Sequence, residues 1–340
     1  MARRTRILFV RAKEAAESSF INRDIDLLKK HFDVRVIDYV LDRHRPKESA
    51  STIWRMCKGL LWADLSLSWF AVWHARTAVR MSKIFLKKSI ALVGGYEVAS
   101  VPEIMYGAQL NSETKKVVDY VLKNATKIVA GSEFTKGEIL RCTTNPNNVE
   151  LVLFGIDPER FKPGNSRENL VITVAVLNES NIVKKGLDKF VMASKYLPDM
   201  KFALIGKCVD SAIDKLKPLS SPNVQFVGYV AEDELIRWYQ RAKVYCQISF
   251  HEGFGIALAE SMLCGCVPVV TNRTALPEVA GDTAVVVENI EIETIVAAIA
   301  RAANSGNGER ARERVLSNFT MNKREAGLVR LINEVVEGKR

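Results

Sequence analysis

Residues 249–270 read SFHEGFGIALAESMLCGCVPVV, and the run KVYCQIS at 243–249 leads straight into them. KVYCQIS is short and apolar, with a β-branched residue at Val244 and another at Ile248, and it predicts a buried strand. Gly253 and Gly255 break that run, and the residues from Ile256 onward predict a helix ending near Gly265. VPVVT at 267–271 then predicts a second buried strand. Strand, glycine loop, helix and strand in that order form a unit of parallel sheet, because parallel neighbours need a crossover of this length.

The same alternation extends in both directions. Before residue 154 the strand-like runs are RILFV, DVRVIDYV, LSLSWF, SIALVG, TKIVAGS and NNVELVLF. Helical segments separate them, among them FINRDIDLLKKHF, STIWRMCKGLLWA, HARTAVRMSKIFLKK and SETKKVVDYVLKNA, the last with Ser112 as its expected N-cap. FGIDPERFKPGNSREN at 154–169 is polar and holds two prolines and two glycines, which suits a linker. After it the alternation restarts with LVITVAVL and runs to a terminal helix, NKREAGLVRLINEVVEG. The expected fold is α/β, with two Rossmann-like, doubly wound parallel-sheet domains facing a cleft. Residues 1–160 form the first, 161–320 the second, and 321–340 a helix that returns to the first. Ligands of such sheets bind beyond the carboxyl ends of the strands.

The chain has 340 residues, 48 % hydrophobic and 26 % charged, which is ample to bury two cores. Six cysteines occur, at 57, 142, 208, 246, 264 and 266, with no CxxC pair and no neighbouring histidine cluster. They read as reduced thiols rather than zinc ligands or a disulfide framework. No apolar stretch is long enough to span a membrane. MARRTRILFVRAKE reads as a first strand rather than a leader, since its apolar core ILFV is interrupted at once by Arg11 and Lys13. A cytoplasmic protein is the expectation, with attachment to the inner membrane face as a peripheral option.

The formal net charge is +10, and it is unevenly placed. Residues 1–164 hold 27 basic against 18 acidic residues, so nearly all the excess lies in the first half. Between 51 and 96, seven basic residues face Asp64 alone, and Trp54, Trp62, Trp69 and Trp73 fall in the same stretch. Aromatics interleaved with cations suit an anionic membrane surface. No recognised nucleic-acid-binding module accompanies the basic half, which argues against nucleic acid as the partner.

The chemistry concentrates in the loop at 251–260. Gly253 and Gly255 allow a ligand close to the backbone, and the amides and dipole of the helix starting at Ile256 favour a diphosphate. Glu252 before the helix and Glu260 within it can accept hydrogen bonds from sugar hydroxyls. The whole string strongly resembles the donor-binding signature of retaining family 4 glycosyltransferases of GT-B architecture. VLFGIDPERFKPG resembles the interdomain segment of that family, with Phe154 where asparagine is usual, and GSEFTKGEIL and ALPEVAGDTAVVVE resemble further segments. The matches cover nearly all of residues 126–287, whereas the first 125 residues match in layout only.

The resemblance implies a metal-independent hexosyl transfer with retention of anomeric configuration, from a nucleotide-sugar to a glycan or lipid-linked acceptor. No cofactor is expected beyond that donor. It assigns the transferred sugar to Glu252, the ribose to Glu260, and the sugar and phosphates to the loop Gly253, Phe254, Gly255 and Ile256. Lys185, followed by Gly186 and preceded by Lys184, fills the lysine–glycine position that binds the diphosphate. Gly228, Tyr229 and Val230 are placed near the base, His251 near the sugar, and either Thr274 and Ala275 or the turn Leu276-Pro277-Glu278 beside the nucleotide, with Glu278 the weaker candidate there. Glu97, at a strand end in LVGGYEVASVPEIMYG, is the candidate to orient or deprotonate the acceptor, with His74 as a second. The family's usual arginine falls here on Asn178 or Glu179, neither of them cationic. That departure keeps a non-catalytic nucleotide-sugar-binding protein open as the alternative, together with a sugar phosphorylase of the same fold. The paired glutamates and the lysine–glycine pair argue against an epimerase.

Overall fold

The computed structural model describes residues 3–40, 44 and 46–338, and the chain divides into two compact units. Met1–Leu153 together with Arg324–Arg340 form the first unit, and Phe154–Lys323 form the second. Each is built on six parallel strands. In the first unit these are β1 (Arg6–Ala12), β2 (Asp33–Tyr39), β3 (Leu65–Trp69), β4 (Lys88–Val93), β5 (Lys127–Ala130) and β6 (Val149–Leu151), in the order β2-β1-β3-β4-β5-β6. The second unit has β7 (Glu168–Val174), β8 (Lys201–Ile205), β9 (Val224–Gly228), β10 (Ala242–Gln247), β11 (Val267–Thr271) and β12 (Val285–Val287), in the order β12-β11-β10-β7-β8-β9. With helices on both faces, every residue of β3 and of β11 is buried. β11 is accordingly almost wholly apolar, whereas β3 alternates leucine with serine although both of its faces are covered, and the Ser66 hydroxyl is satisfied by Ser82 at 2.8 Å.

One local reading of the sequence needs correction, and two short helices left no signal in it. The helix Ser112–Asn124 is capped by Asn111, whose side-chain oxygen accepts the N–H groups of Glu113 and Thr114 at 3.0 Å; Ser112 is the first helical residue. A short helix, Glu179–Lys184, precedes Lys185, and it is too brief and polar to show an apolar period. The helix Gly308–Asn318 was also hidden, because only Ala311 and Val315 of its eleven residues are buried. Two apolar positions four apart are too thin a stripe for a periodicity argument.

The last helix, Met321–Glu337, anchors in the first unit through one buried cluster. Both oxygens of Asp24 accept from the Arg324 guanidinium at 2.6 Å, and the Trp69 indole N–H donates to Asp24 at 2.8 Å. Arg324 also reaches the carbonyls of Val152 and Leu153, at 3.3 and 3.2 Å. Asp24 and Arg324 are each 3 % exposed, so this ion pair is satisfied by geometry rather than by solvent. Arg324→Met should therefore strand a buried carboxylate and lower unfolding stability in urea by about 3–5 kcal/mol. The double variant Asp24→Leu with Arg324→Met should recover most of that loss; a double variant no better than the single one would refute the account.

Candidate functional site

In the second unit the chain runs outward from β7 through β8 to β9, then crosses back to lay β10 on the other side of β7. Strand order reverses between β7 and β10, and the loops leaving their carboxyl ends diverge there. The loop after β7 carries Lys184, Lys185 and Gly186, and the loop after β10 carries Ser249 to Gly255. Lys185 donates through Nζ to Glu252 Oε1, so an ion pair joins the two loops at the reversal. The same carboxylate oxygen accepts from Gln247 Nε2 at 2.7 Å and Ser249 Oγ at 3.1 Å.

The backbone makes this approach feasible. The Phe250 N–H donates to the Lys184 carbonyl at 2.8 Å, stitching the loops together one residue from the ion pair. Gly186 has φ +63°, and a Cβ there would lie 2.7 Å from the Ile248 carbonyl oxygen. Only glycine meets both demands, which is why lysine and glycine occur together at this point.

Burial pushes the Glu252 carboxyl up, but Lys185, with Gln247 and the more distant Lys184, outweighs it and holds the group below its ordinary range. Lys184 is moved the other way. Burial first, and the charge of Lys185 second, bring its ammonium down to about 8. The pair thus holds a carboxylate ionised, beside a second ammonium whose proton is held less tightly than an ordinary lysine's.

A third loop closes on Glu252 from β11, the neighbour of β10. The Glu252 N–H donates to Thr274 Oγ1 at 3.1 Å, and the Ala275 N–H donates to the Glu252 carbonyl at 3.3 Å. Thr274 takes φ +58°, an unfavourable conformation for a β-branched residue that the surrounding contacts impose. Gly255, at φ +96°, turns the chain into the helix Ile256–Leu263. The first N–H groups of a helix have no acceptor within it and point back toward the loop.

The structure thus brings Lys185 and Glu252 into contact, puts Lys184, Gly253 and His251 beside them in the chain, and starts the helix at Ile256. Other expected residues take different positions. Glu260 lies buried within the helix and accepts from the Tyr239 hydroxyl at 3.3 Å. The Phe254 side chain is 3 % exposed and packs with Phe154 and Phe319, ring centroids 5.1 and 5.4 Å apart, so only its backbone is available to a ligand. Phe154, which stands where asparagine was expected, is thereby a packing partner of the loop. Tyr229 is 76 % exposed at the end of β9, two strands from β7. Asn178 caps the helix Glu179–Lys184 by accepting the Asn181 N–H at 2.8 Å, and Glu179 pairs with Lys215.

In the first unit, Glu97 is 0 % exposed. Its Oε1 accepts the N–H groups of Ala71 at 3.0 Å and Gly94 at 3.1 Å, and burial raises its carboxyl pKa. The carboxylate expected to face an acceptor hydroxyl is instead enclosed, locking the loops after β3 and β4. His74 is buried too, bonded to the Trp69 carbonyl, with its imidazole pKa lowered mainly by burial. Among the described residues no group of His, Cys, Asp and Glu could hold a metal ion. A cavity of about 320 Å³ lined by Arg167, Lys243 and Gly265 opens near the opposite, amino ends of β7, β10 and β11 and contains none of these residues.

Sequence reasoning missed Gln247 and Ser249, which fix the Glu252 oxygen, and Arg273, whose guanidinium lies 4.7 Å from the Phe250 ring centroid. Removing the counter-charge tests the ion pair. Lys185→Met should lower stability near pH 7 by about 3 kcal/mol, since a buried carboxylate loses its partner. A carboxylate held below its ordinary value of 4.5 contributes stability above that pH and loses it as pH falls through the folded-state value. The gap between variant and parent should therefore narrow below about pH 4.5, and a gap independent of pH in denaturation curves would contradict the assignment.

Residues 155–318 match the family model for glycosyl transferases group 1. Among curated proteins, the chain is 38 % identical over 76 residues to O-antigen chain mannosyltransferase B of Escherichia coli, 22 % of this chain and 20 % of that one. It is 23 % identical over 174 residues to the phosphatidylinositol N-acetylglucosaminyltransferase gpi3 subunit of Schizosaccharomyces pombe, 49 % of this chain and 38 % of that one. It is 23 % identical over 322 residues to the lipopolysaccharide core biosynthesis mannosyltransferase LpcC of Rhizobium leguminosarum bv. viciae, 87 % of each. The chain spans less than half of the length of the first two of these relatives. Among solved structures it superposes on sucrose-phosphate synthase from Thermosynechococcus elongatus with a TM-score of 0.83 at 15 % identity, covering 99 % of this chain and 100 % of that one. Anabaena HepE, solved with UDP and glucose, gives 0.75 at 14 % identity over 97 % and 99 %. The fold is therefore GT-B, and the family match across the second unit, with these relatives, supports a glycosyltransferase.

Proposed function

We propose that the chain is a retaining, metal-independent hexosyltransferase that takes its sugar from a nucleotide-sugar held by the second unit. The observation that carries this reading is the Lys185–Glu252 pair at the β7/β10 reversal, next to the glycine turn that opens the helix Ile256–Leu263. A carboxylate held ionised at that point can accept from sugar hydroxyls. The helix amides and the two lysines supply positive potential for the diphosphate. In the reaction, the bond between the sugar's anomeric carbon and the phosphate oxygen breaks, and its electron pair stays on that oxygen. The acceptor hydroxyl oxygen bonds to the same carbon and gives up its proton to the departing diphosphate. Lysines and amides can meet that charge, so the step asks for no metal. Glu260 takes the ribose hydroxyls, and Tyr229 borders the base. Glu97 acts at one remove, by holding the loops after β3 and β4 in register for the acceptor.

The absence of a cation at Asn178 and Glu179 favours one second reading, a protein that binds a nucleotide-sugar without turning it over. Thermal-shift titration with UDP and GDP tests the donor site. At least one should raise Tm, and Glu260→Ala should abolish the shift; an unchanged shift would refute the assignment of Glu260. Nucleotide release with candidate acceptors then separates transfer from binding alone, and proton NMR of the product reads whether the anomeric configuration is kept.

For the acceptor we propose a lipid-linked glycan reached at an anionic membrane surface. The relatives named for phosphatidylinositol and lipopolysaccharide chemistry support this. No helix among the described residues is long and apolar enough to cross a membrane. The exposed aromatics nominate a narrower patch than residues 51–96. Trp69 is buried and bonded to Asp24 and so is withdrawn from it. Trp54 (57 % exposed) and Leu61 (69 %) remain on the helix Pro46–Trp62, with the Lys58 ammonium 3.8 Å from the Trp54 ring centroid. Trp54→Ser with Leu61→Ser should reduce co-sedimentation with vesicles rich in phosphatidylserine by about tenfold and leave neutral vesicles unaffected. Unchanged binding to the anionic vesicles would remove this patch from the proposal.

A further inference from the structure

If a diphosphate binds at the β7/β10 reversal, its charge needs a cation that is not already engaged. Lys185 is committed to Glu252, and the pair together carries little net charge. Lys184 is half-buried beside Lys185, in surroundings that bring its ammonium down to about 8, so it keeps its proton at pH 7 but loses it as pH rises past that value. The position that the family resemblance assigns to an arginine is occupied by Asn178 and Glu179, one a helix cap and the other an acid paired with Lys215. The loops after β7 and β10 therefore hold lysines, one of them paired with Glu252, but no guanidinium.

The loop after β11 does. Strands β7, β10 and β11 are neighbours in the sheet, so their carboxyl-end loops lie side by side. Arg273 is exposed in the third of these loops. It is held in place from both directions. Its guanidinium stacks over Phe250, 4.7 Å from the ring centroid, and the N–H of that same Phe250 is bonded to the Lys184 carbonyl. On its other side the next residue, Thr274, is tied to the Glu252 N–H in a strained left-handed conformation. Stacking occupies the face of a guanidinium and leaves its edge N–H groups to donate. An arginine so placed presents a planar, permanently charged fork beside the Lys184–Lys185 loop, and such a fork matches two phosphate oxygens at once.

We propose that Arg273, seated on Phe250, supplies the fixed cationic contact to the donor diphosphate in this chain, standing in from β11 for the cation missing after β7. This rests on the donor-site reading above and adds a specific binding residue to it. Phe250 is a positioning residue, acting through the guanidinium it supports.

The experiment is isothermal titration of the full chain and of Arg273→Ala, Arg273→Lys and Phe250→Leu with UDP and GDP, and with uridine and guanosine as phosphate-free controls. Each variant is first checked for an unchanged Tm, which the exposed side chain of Arg273 and the size-matched replacement at the half-buried Phe250 should permit. For the diphosphate that binds the parent, Arg273→Ala should raise Kd about tenfold or more and leave the nucleoside Kd unchanged. Arg273→Lys should recover only part of the loss, because an ammonium cannot form the fork. Phe250→Leu should weaken the diphosphate less than Arg273→Ala does. A diphosphate Kd unaltered in Arg273→Ala overturns the proposal while leaving the donor site standing. So does an equal loss for nucleoside and diphosphate, since that marks a disturbed loop rather than a lost phosphate contact. Failure of the parent itself to bind either diphosphate overturns the donor-site reading, and the role of Arg273 with it.

Discussion

A lysine and a glutamate joined across the reversal of a parallel sheet are the constraint on which the second unit's site depends. Lys185 and Glu252 are 67 positions apart in sequence and meet because β10 returns to lie beside β7. Alone in this partly buried position, the Glu252 carboxylate would drift toward its neutral form. Lys185 holds it charged, and Gln247 and Ser249 fix the shared oxygen. The glycine at 186 is a consequence of the same approach, because any Cβ there would meet the Ile248 carbonyl. So is the strain at Thr274, which is held where it accepts the Glu252 amide proton.

The first unit is organised by a second buried charge pair, with a different purpose. Asp24 and Arg324 are 300 positions apart and bring the last helix of the chain onto the first sheet. Trp69 joins this cluster through its indole N–H, and so one of four tryptophans that read alike in sequence is withdrawn from the surface. Trp54 stays exposed, under the ammonium of Lys58. Identical residue types a few positions apart thus serve the core in one case and the surface in the other.

The departures from the family pattern become intelligible at the level of contacts. Phe154, in place of asparagine, stacks on Phe254 and supports the glycine turn from below. Asn178, in place of a cation, caps the short helix that delivers Lys184 and Lys185. Each substitution stabilises the frame of the site, while positive charge is concentrated on the neighbouring loops. The arginine stacked on Phe250 fits that redistribution, since it lies in the loop after β11, the strand beside β10.

The sequence alone determined the two α/β halves, most strands, and the segment holding Glu252, Gly255 and Glu260. These follow from short-range regularities: apolar runs of strand length, glycines at a turn and a helix period after it. Lys185 and Gly186 were marked only by the resemblance to the family's lysine–glycine position. Short polar helices such as Glu179–Lys184 and Gly308–Asn318 escaped it because they bury too little to leave a pattern. What only the tertiary structure decided are relations between distant residues. These include the ion pair across the β7/β10 reversal, the enclosure of Glu97 by the amides of Ala71 and Gly94, the seat of Arg273 on Phe250, and the burial of Trp69. The physical reason is that charge pairing, burial and stacking depend on which strands become neighbours. That choice is made by the packing of the whole sheet and is written in no single stretch of the chain.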